Sequence, residues 1–167
     1  MPGNLAGGSN PTPPPPLNIT AISAASNAST LECWQFGPLP AASAPGVSGA
    51  AALLLLGGAA SSVSYTVLPD APRLQLVVFL WGLARITLPS SSADGNDTAA
   101  SFDVRGGRNG IIVAADTRDV SGLGHTTDYP GDEPTVVLQM PIAAGRLGFG
   151  RYSVLHEGPC TEEMSGL

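Results

Sequence analysis

The chain has 167 residues, 43% of them hydrophobic but only 12% charged, about half the charged content of an average globular protein. The net charge is −6, and all seven basic residues are arginines scattered among thirteen acids. No basic track can form, which excludes nucleic acid and an anionic membrane surface as partners.

Residues 1–17 are rich in Gly, Asn and Pro and end near four consecutive prolines, Pro13 to Pro16. Such a segment has little to bury and predicts a disordered or polyproline arm, leaving 18–167 as the folded domain. Residues 30–36, TLECWQF, predict a first strand, and 38–49 a loop by their Pro, Ser and Gly content. Strands are expected at 53–56 and 62–68, around Gly57-Gly58. The apolar run 49–56 is too short to cross a bilayer and reads as a buried strand.

The segment 74–88, LQLVVFLWGLARITL, joins two β-prone runs through Gly82 and predicts a hairpin with a tight turn there. A polar loop at 90–98 follows, then short strands at 102–104 and 110–114 around Gly106-Gly107. Strands at 126–129, 135–140 and 151–156 complete the set. Many short strands at this spacing, with no sustained helical period, predict an all-β antiparallel sandwich or barrel.

The two cysteines, Cys33 and Cys160, sit near the two ends of the folded region. They read either as buried thiols or as a disulfide joining the first and last strands. Asn18-Ile19-Thr20, Asn27-Ala28-Ser29 and Asn96-Asp97-Thr98 match the N-glycosylation acceptor pattern, which favours the disulfide and a secreted protein. The first arginine is Arg73, so no signal peptide is visible. A removed signal and a cytoplasmic chain with a disordered start both fit that beginning.

The hairpin FLWGLARITLP resembles the cupin superfamily, small antiparallel jelly-roll barrels. In the first cupin motif two His, one residue apart, precede a Glu, with a Gly seven residues after that Glu. Counting back from Gly82 puts Gln75 at the Glu position, and positions 68–71, Leu-Pro-Asp-Ala, hold neither His. The second motif is matched by Gly122-Leu123-Gly124-His125, with Val120 where the motif has Pro. The likeness covers about residues 60–145. The pattern is also similar to small secreted fungal cupin-like proteins, with the ending LHEGPC. The resemblance implies a jelly-roll barrel, a homodimer paired through sheet edges and a cavity for a small molecule.

In that barrel His125 points inward, with Thr127 and Tyr129 on the same strand face. It can act as a general base, a hydrogen-bond donor or a lone metal ligand; otherwise it is a turn residue at the surface. Gln75 on an apolar strand needs partners for its amide, from a ligand, from His125 or from the backbone. Val77, Phe79 and Trp81 share its face and form either a cavity wall or plain core. His156, beside Glu157, reads as a surface residue. Asp116, Asp119, Asp128, Asp132 and Glu133 read as solvated turn residues, their spacing fitting no calcium loop.

With the His pair missing, neither a metal nor another cofactor is expected. The sequence therefore predicts a secreted barrel that binds a mostly apolar small molecule, and that serves as an isomerase, cyclase or lyase if it is an enzyme, with a setting in natural-product metabolism. A non-enzymatic binding or interaction protein is the first alternative, and a metal-dependent cupin oxygenase the second.

Overall fold

A computed structural model of the chain describes residues 16–37, 39, 74–89, 99–142, 152–161 and 163–164. The strands expected at 53–56 and 62–68, the loop at 90–98 with Asn96, and residues 1–15 of the arm lie outside the described residues. Nine strands and no helix occur among those described: β1 (Leu17–Ala25), β2 (Ala28–Phe36), β3 (Gln75–Trp81), β4 (Leu83–Leu88), β5 (Ala100–Arg105), β6 (Ile111–Ala114), β7 (Thr126–Asp128), β8 (Val136–Pro141) and β9 (Tyr152–Glu157). The protein is all-β.

The strands form two sheets. One has six strands in the order β8-β3-β6-β1-β2-β9, and the other has three in the order β5-β4-β7. Neither closes on itself among the described residues. Every pairing is antiparallel except β1 with β6, which is parallel. That pair departs from the purely antiparallel expectation. The chain passes through the smaller sheet before it re-enters the larger one, and so long a connection can return a strand in either direction.

The central strands of the larger sheet are buried on both faces, which is why β3 and β6 read as nearly unbroken apolar runs. Successive side chains alternate between two clusters. Ile19, Ala21, Trp34, Phe36, Leu76 and Val113 form one. Ile22, Val77, Phe79, Ile112 and Ala114 form the other, packing against Ala84, Ile86, Leu88 and Val104 of the smaller sheet.

The expected hairpin at Gly82 is not one. β3 lies between β6 and β8, whereas β4 lies between β5 and β7, so Gly82 is where the chain leaves one sheet for the other. Its φ of +87° suits glycine. A Cβ there would lie 2.5 Å from Thr135 Oγ1 and 2.7 Å from Thr135 Cα. Thr135 Oγ1 accepts from Leu83 N at 3.2 Å and donates to Leu83 O at 3.1 Å, fastening the corner. Strands change sheets at such bends.

β1 and β2 form a true hairpin that the sequence reading missed, and Leu17, expected in the arm, begins it. Its turn residues Ser26 and Asn27 both have positive φ, 52° and 64°, the geometry of a two-residue type I′ turn. At the other end of the chain, Cys33 and Cys160 are disulfide-bonded, their Cα atoms 4.8 Å apart. Gly158 N donates to Leu31 O at 2.7 Å, Cys160 N to Thr20 Oγ1 at 2.9 Å, and Asn18 Nδ2 to Met164 O at 2.6 Å. The segment after β9 is thus strapped across β2 and β1. A disulfide of this kind is consistent with an oxidising compartment.

Candidate functional site

The best-developed polar cluster gathers where β6 ends. Asp116 follows β6 and is only 4% exposed. Its Oδ2 accepts from Ser29 Oγ at 2.7 Å and lies 2.8 Å from His125 Nδ1. Ser29 and Ser121 hydroxyls are 2.8 Å apart, and Gly124 N donates to Ser121 Oγ at 3.1 Å. Gly122 N donates to Asn27 O at 3.0 Å, fixing the loop before β7 to the β1–β2 turn.

An ionised carboxylate only accepts, so its partner on the imidazole is an Nδ1–H donor. Asp116 Oδ1 is buried with no hydrogen-bond partner. The loop itself is tightened by Val120 N and Ser121 N, both donating to Thr117 O at 2.9 Å, and by a hydrogen bond from Thr117 Oγ1 to Asp119. That hydroxyl holds the Asp119 carboxyl below the usual range, with help from the residue's own backbone N–H. A cleft of about 380 Å³ opens here, lined by Asp116, Arg118, Ser121, Leu123 and His125.

A second cleft, of about 420 Å³, lies between the sheets. β1 supplies Asn18 and Thr20, and β6 supplies Ile112. β5, the edge strand of the smaller sheet, contributes Phe102, Asp103, Val104 and Arg105, and the strapped segment contributes Pro159 and Cys160. Arg108 and Asn109 also border it.

The residues expected to meet inside a barrel do not meet. Gln75 is 7% exposed on β3, and no hydrogen bond joins it to His125. Val77 and Phe79 are solid core, packed against the smaller sheet, rather than the wall of a void. Trp81 is 61% exposed and stands outside both clusters, because the chain turns away at Gly82. His125 precedes β7 and turns to Asp116. Thr127 lies on β7 opposite Ile86, and Tyr129 is exposed beyond the strand. Partial burial still pushes the Tyr129 phenol up.

Asp116, expected to be a solvated turn residue, is instead the buried hub of the cluster. Ser29 enters the sequence reading as part of an acceptor sequon alone, and nothing in the sequence joins it or Ser121 to Asp116. His156 lies on β9 in register with Cys33, its Nδ1 2.8 Å from Glu157 O. Among the described residues no three His, Cys, Asp or Glu side chains group as a metal site.

Two of the acceptor sequons have structural occupations. The Asn18 amide donates to Met164 O, and its Oδ1 accepts from Gln35 Nε2 at 3.1 Å. A glycan on Asn18 Nδ2 would share that nitrogen with the bond to the C-terminal segment and leave it a single N–H. Asn27 takes the left-handed turn position, and the hydroxyl of its sequon, Ser29, is spent on Asp116.

Comparison with known family models, curated proteins and solved structures finds no match to this chain.

Proposed function

We propose that this chain is a secreted small-molecule binding protein, its ligand mostly apolar with one polar end and held in the cleft between the two sheets. The cleft carries this reading. Its 420 Å³ falls within the range of ligand pockets, and it sets Phe102, Val104 and Ile112 beside the polar Asn18, Thr20, Arg108 and Asn109. It replaces the barrel interior implied by the cupin resemblance, whose proposed wall is packed solid. The strapped, disulfide-bonded segment supports secretion and fixes the part of the lining that Pro159 and Cys160 supply.

The test uses anilinonaphthalene sulfonate, an apolar anion whose fluorescence rises out of water. One saturable site per chain is expected, lost in Asn109→Trp, which plugs an exposed rim position, and weakened in Phe102→Ala. Dye uptake that is absent, or unchanged in both variants, refutes the reading.

A second reading is favoured by the Asp116–His125 pair. An imidazole oriented by a carboxylate moves protons, which is the chemistry of an isomerase, cyclase or lyase. It requires His125 to be the Nδ1–H tautomer, which long-range proton–nitrogen NMR reports directly. An Nε2–H tautomer rules it out.

A further inference from the structure

The exposed Trp81 has no structural task that accounts for its exposure. Its ring belongs to neither apolar cluster. A single exposed apolar side chain is ordinary; what sets Trp81 apart is that its ring edge is tethered beside a charged recess. Its Nε1–H donates to Glu133 Oε2 at 2.9 Å. Beneath its backbone Gly106 packs so closely that a Cβ would lie 2.4 Å from Trp81 N, while Gly106 N donates to Gly82 O at 3.0 Å.

The ring borders a recess of about 490 Å³ that also takes in Arg105, Gly131, Asp132 and Glu133. Arg105 and Asp132 line the same recess without pairing with each other. The site therefore offers an aromatic plane, a planar set of donors and two carboxylate acceptors. An anion would face both carboxylates. A wholly apolar ligand would strip water from three charged groups and return no hydrogen bonds. A ligand with a C–H face and many hydroxyls satisfies every part: its polarised C–H groups meet the negative face of the indole, and its hydroxyls both accept and donate.

We infer that this corner binds a neutral saccharide, one sugar ring lying on Trp81 with its hydroxyls shared among Arg105, Asp132 and Glu133. The site adjoins the inter-sheet cleft through Arg105 and Gly106, which border both, whereas Trp81, Asp132 and Glu133 border this recess and not the cleft.

The experiment titrates the isotope-labelled full chain with neutral oligosaccharides of glucose, mannose and N-acetylglucosamine, following the indole N–H resonances. Trp34 is buried and serves as the internal control. At least one sugar series should shift the Trp81 resonance saturably and leave that of Trp34 in place. Asp132→Ala or Arg105→Ala should weaken binding about tenfold, the loss of one good hydrogen-bonding partner. Trp81→Ala should abolish binding, with Trp81→Phe retaining part of it; should Trp81→Ala not fold, the other three variants decide. Dye uptake by the cleft should stay unchanged in Trp81→Phe and Asp132→Ala, so the two readings fail separately. The inference is overturned if no sugar moves the Trp81 resonance, if tetramethylammonium moves it where sugars do not, or if the shift survives both Asp132→Ala and Arg105→Ala.

Discussion

Replacing Gly82 by alanine separates a corner from a hairpin. In a hairpin the turn points into water, and the substitution costs only the left-handed backbone conformation, about 1–2 kcal/mol for an L-residue. At the corner the same φ of +87° applies, but the new methyl also meets Thr135 Oγ1 at 2.5 Å, its Cα at 2.7 Å and its Cβ at 2.9 Å. The Cα is backbone and cannot swing aside, so the second cost is that of overpacking, about 1–3 kcal/mol. The total of about 2–5 kcal/mol is a large part of the stability of a typical domain. Gly107 is the matched control: its φ is +105°, and a Cβ there meets nothing within 4 Å. Guanidinium unfolding of oxidised protein, followed by tryptophan fluorescence, should show Gly82→Ala losing clearly more than Gly107→Ala. Equal losses would refute the crossing of the chain between sheets at Gly82.

Replacing both Cys33 and Cys160 by alanine opens a loop with a sequence separation of 127 and should cost about 5 kcal/mol on chain-entropy grounds, read as a lower unfolding midpoint. Asp116→Ala strands the His125 N–H, leaves the Ser29 hydroxyl only Ser121 as a partner and should cost about 1–3 kcal/mol, while Asp116→Asn, which still accepts, should cost less. Loss of the Nδ1–H tautomer of His125 should accompany the alanine variant in NMR spectra. Arg85, bonded to Asp103 at 2.8 and 2.9 Å, holds that carboxyl below its ordinary range. The pair therefore stabilises the fold above the ordinary carboxylate value of about 4 and loses its effect as pH falls through the lowered one; Arg85→Ala should move the Asp103 NMR titration upward. Burial pushes the Tyr152 phenol up, where it stacks on Trp34 with ring centroids 3.9 Å apart. Stability from that contact should be complete below the ordinary phenol value of about 10 and decline as pH climbs through the raised one, visible in alkaline melting curves.

Most strands were legible because their side chains had to match a pleat. β4, LARITL, alternates apolar and polar positions and packs one face, whereas β3, QLVVFLW, is apolar after Gln75 and is largely buried on both faces as far as Phe79. That change of pattern at Gly82 is the mark of a strand leaving a two-sided central position for a one-sided sheet. A single residue is also shorter than the two-residue loops that close hairpins. Both signals were present, and the tight-turn reading overlooked them. β1 was hidden for a different reason. LNITAISAA is rich in small residues, and its strand form comes from being flanked by β2 and β6, a context no local window holds. Its turn, Ser26-Asn27, lacks the glycine that usually announces a type I′ hairpin. The disulfide was legible because it follows from compartment and position rather than from strand order.

The polar cluster was out of reach of the sequence because one topological choice creates it. β6 runs parallel to β1 with Ile22 opposite Ala114, so the chain leaves β6 at the end where β1 turns into β2. Two residues further on, Asp116 arrives beside the hairpin mouth, where Ser29 is already paired with Ala24. A reversed β6 would deliver the carboxylate to the opposite end of the sheet, near Leu17. Ser29 is 87 positions from Asp116, and no spacing rule connects them. A purely antiparallel jelly roll excludes that pair, and with it the contact between Asp116 and Ser29. The orientation of His125 therefore rests on the one pairing that the resemblance to a barrel gave no reason to expect.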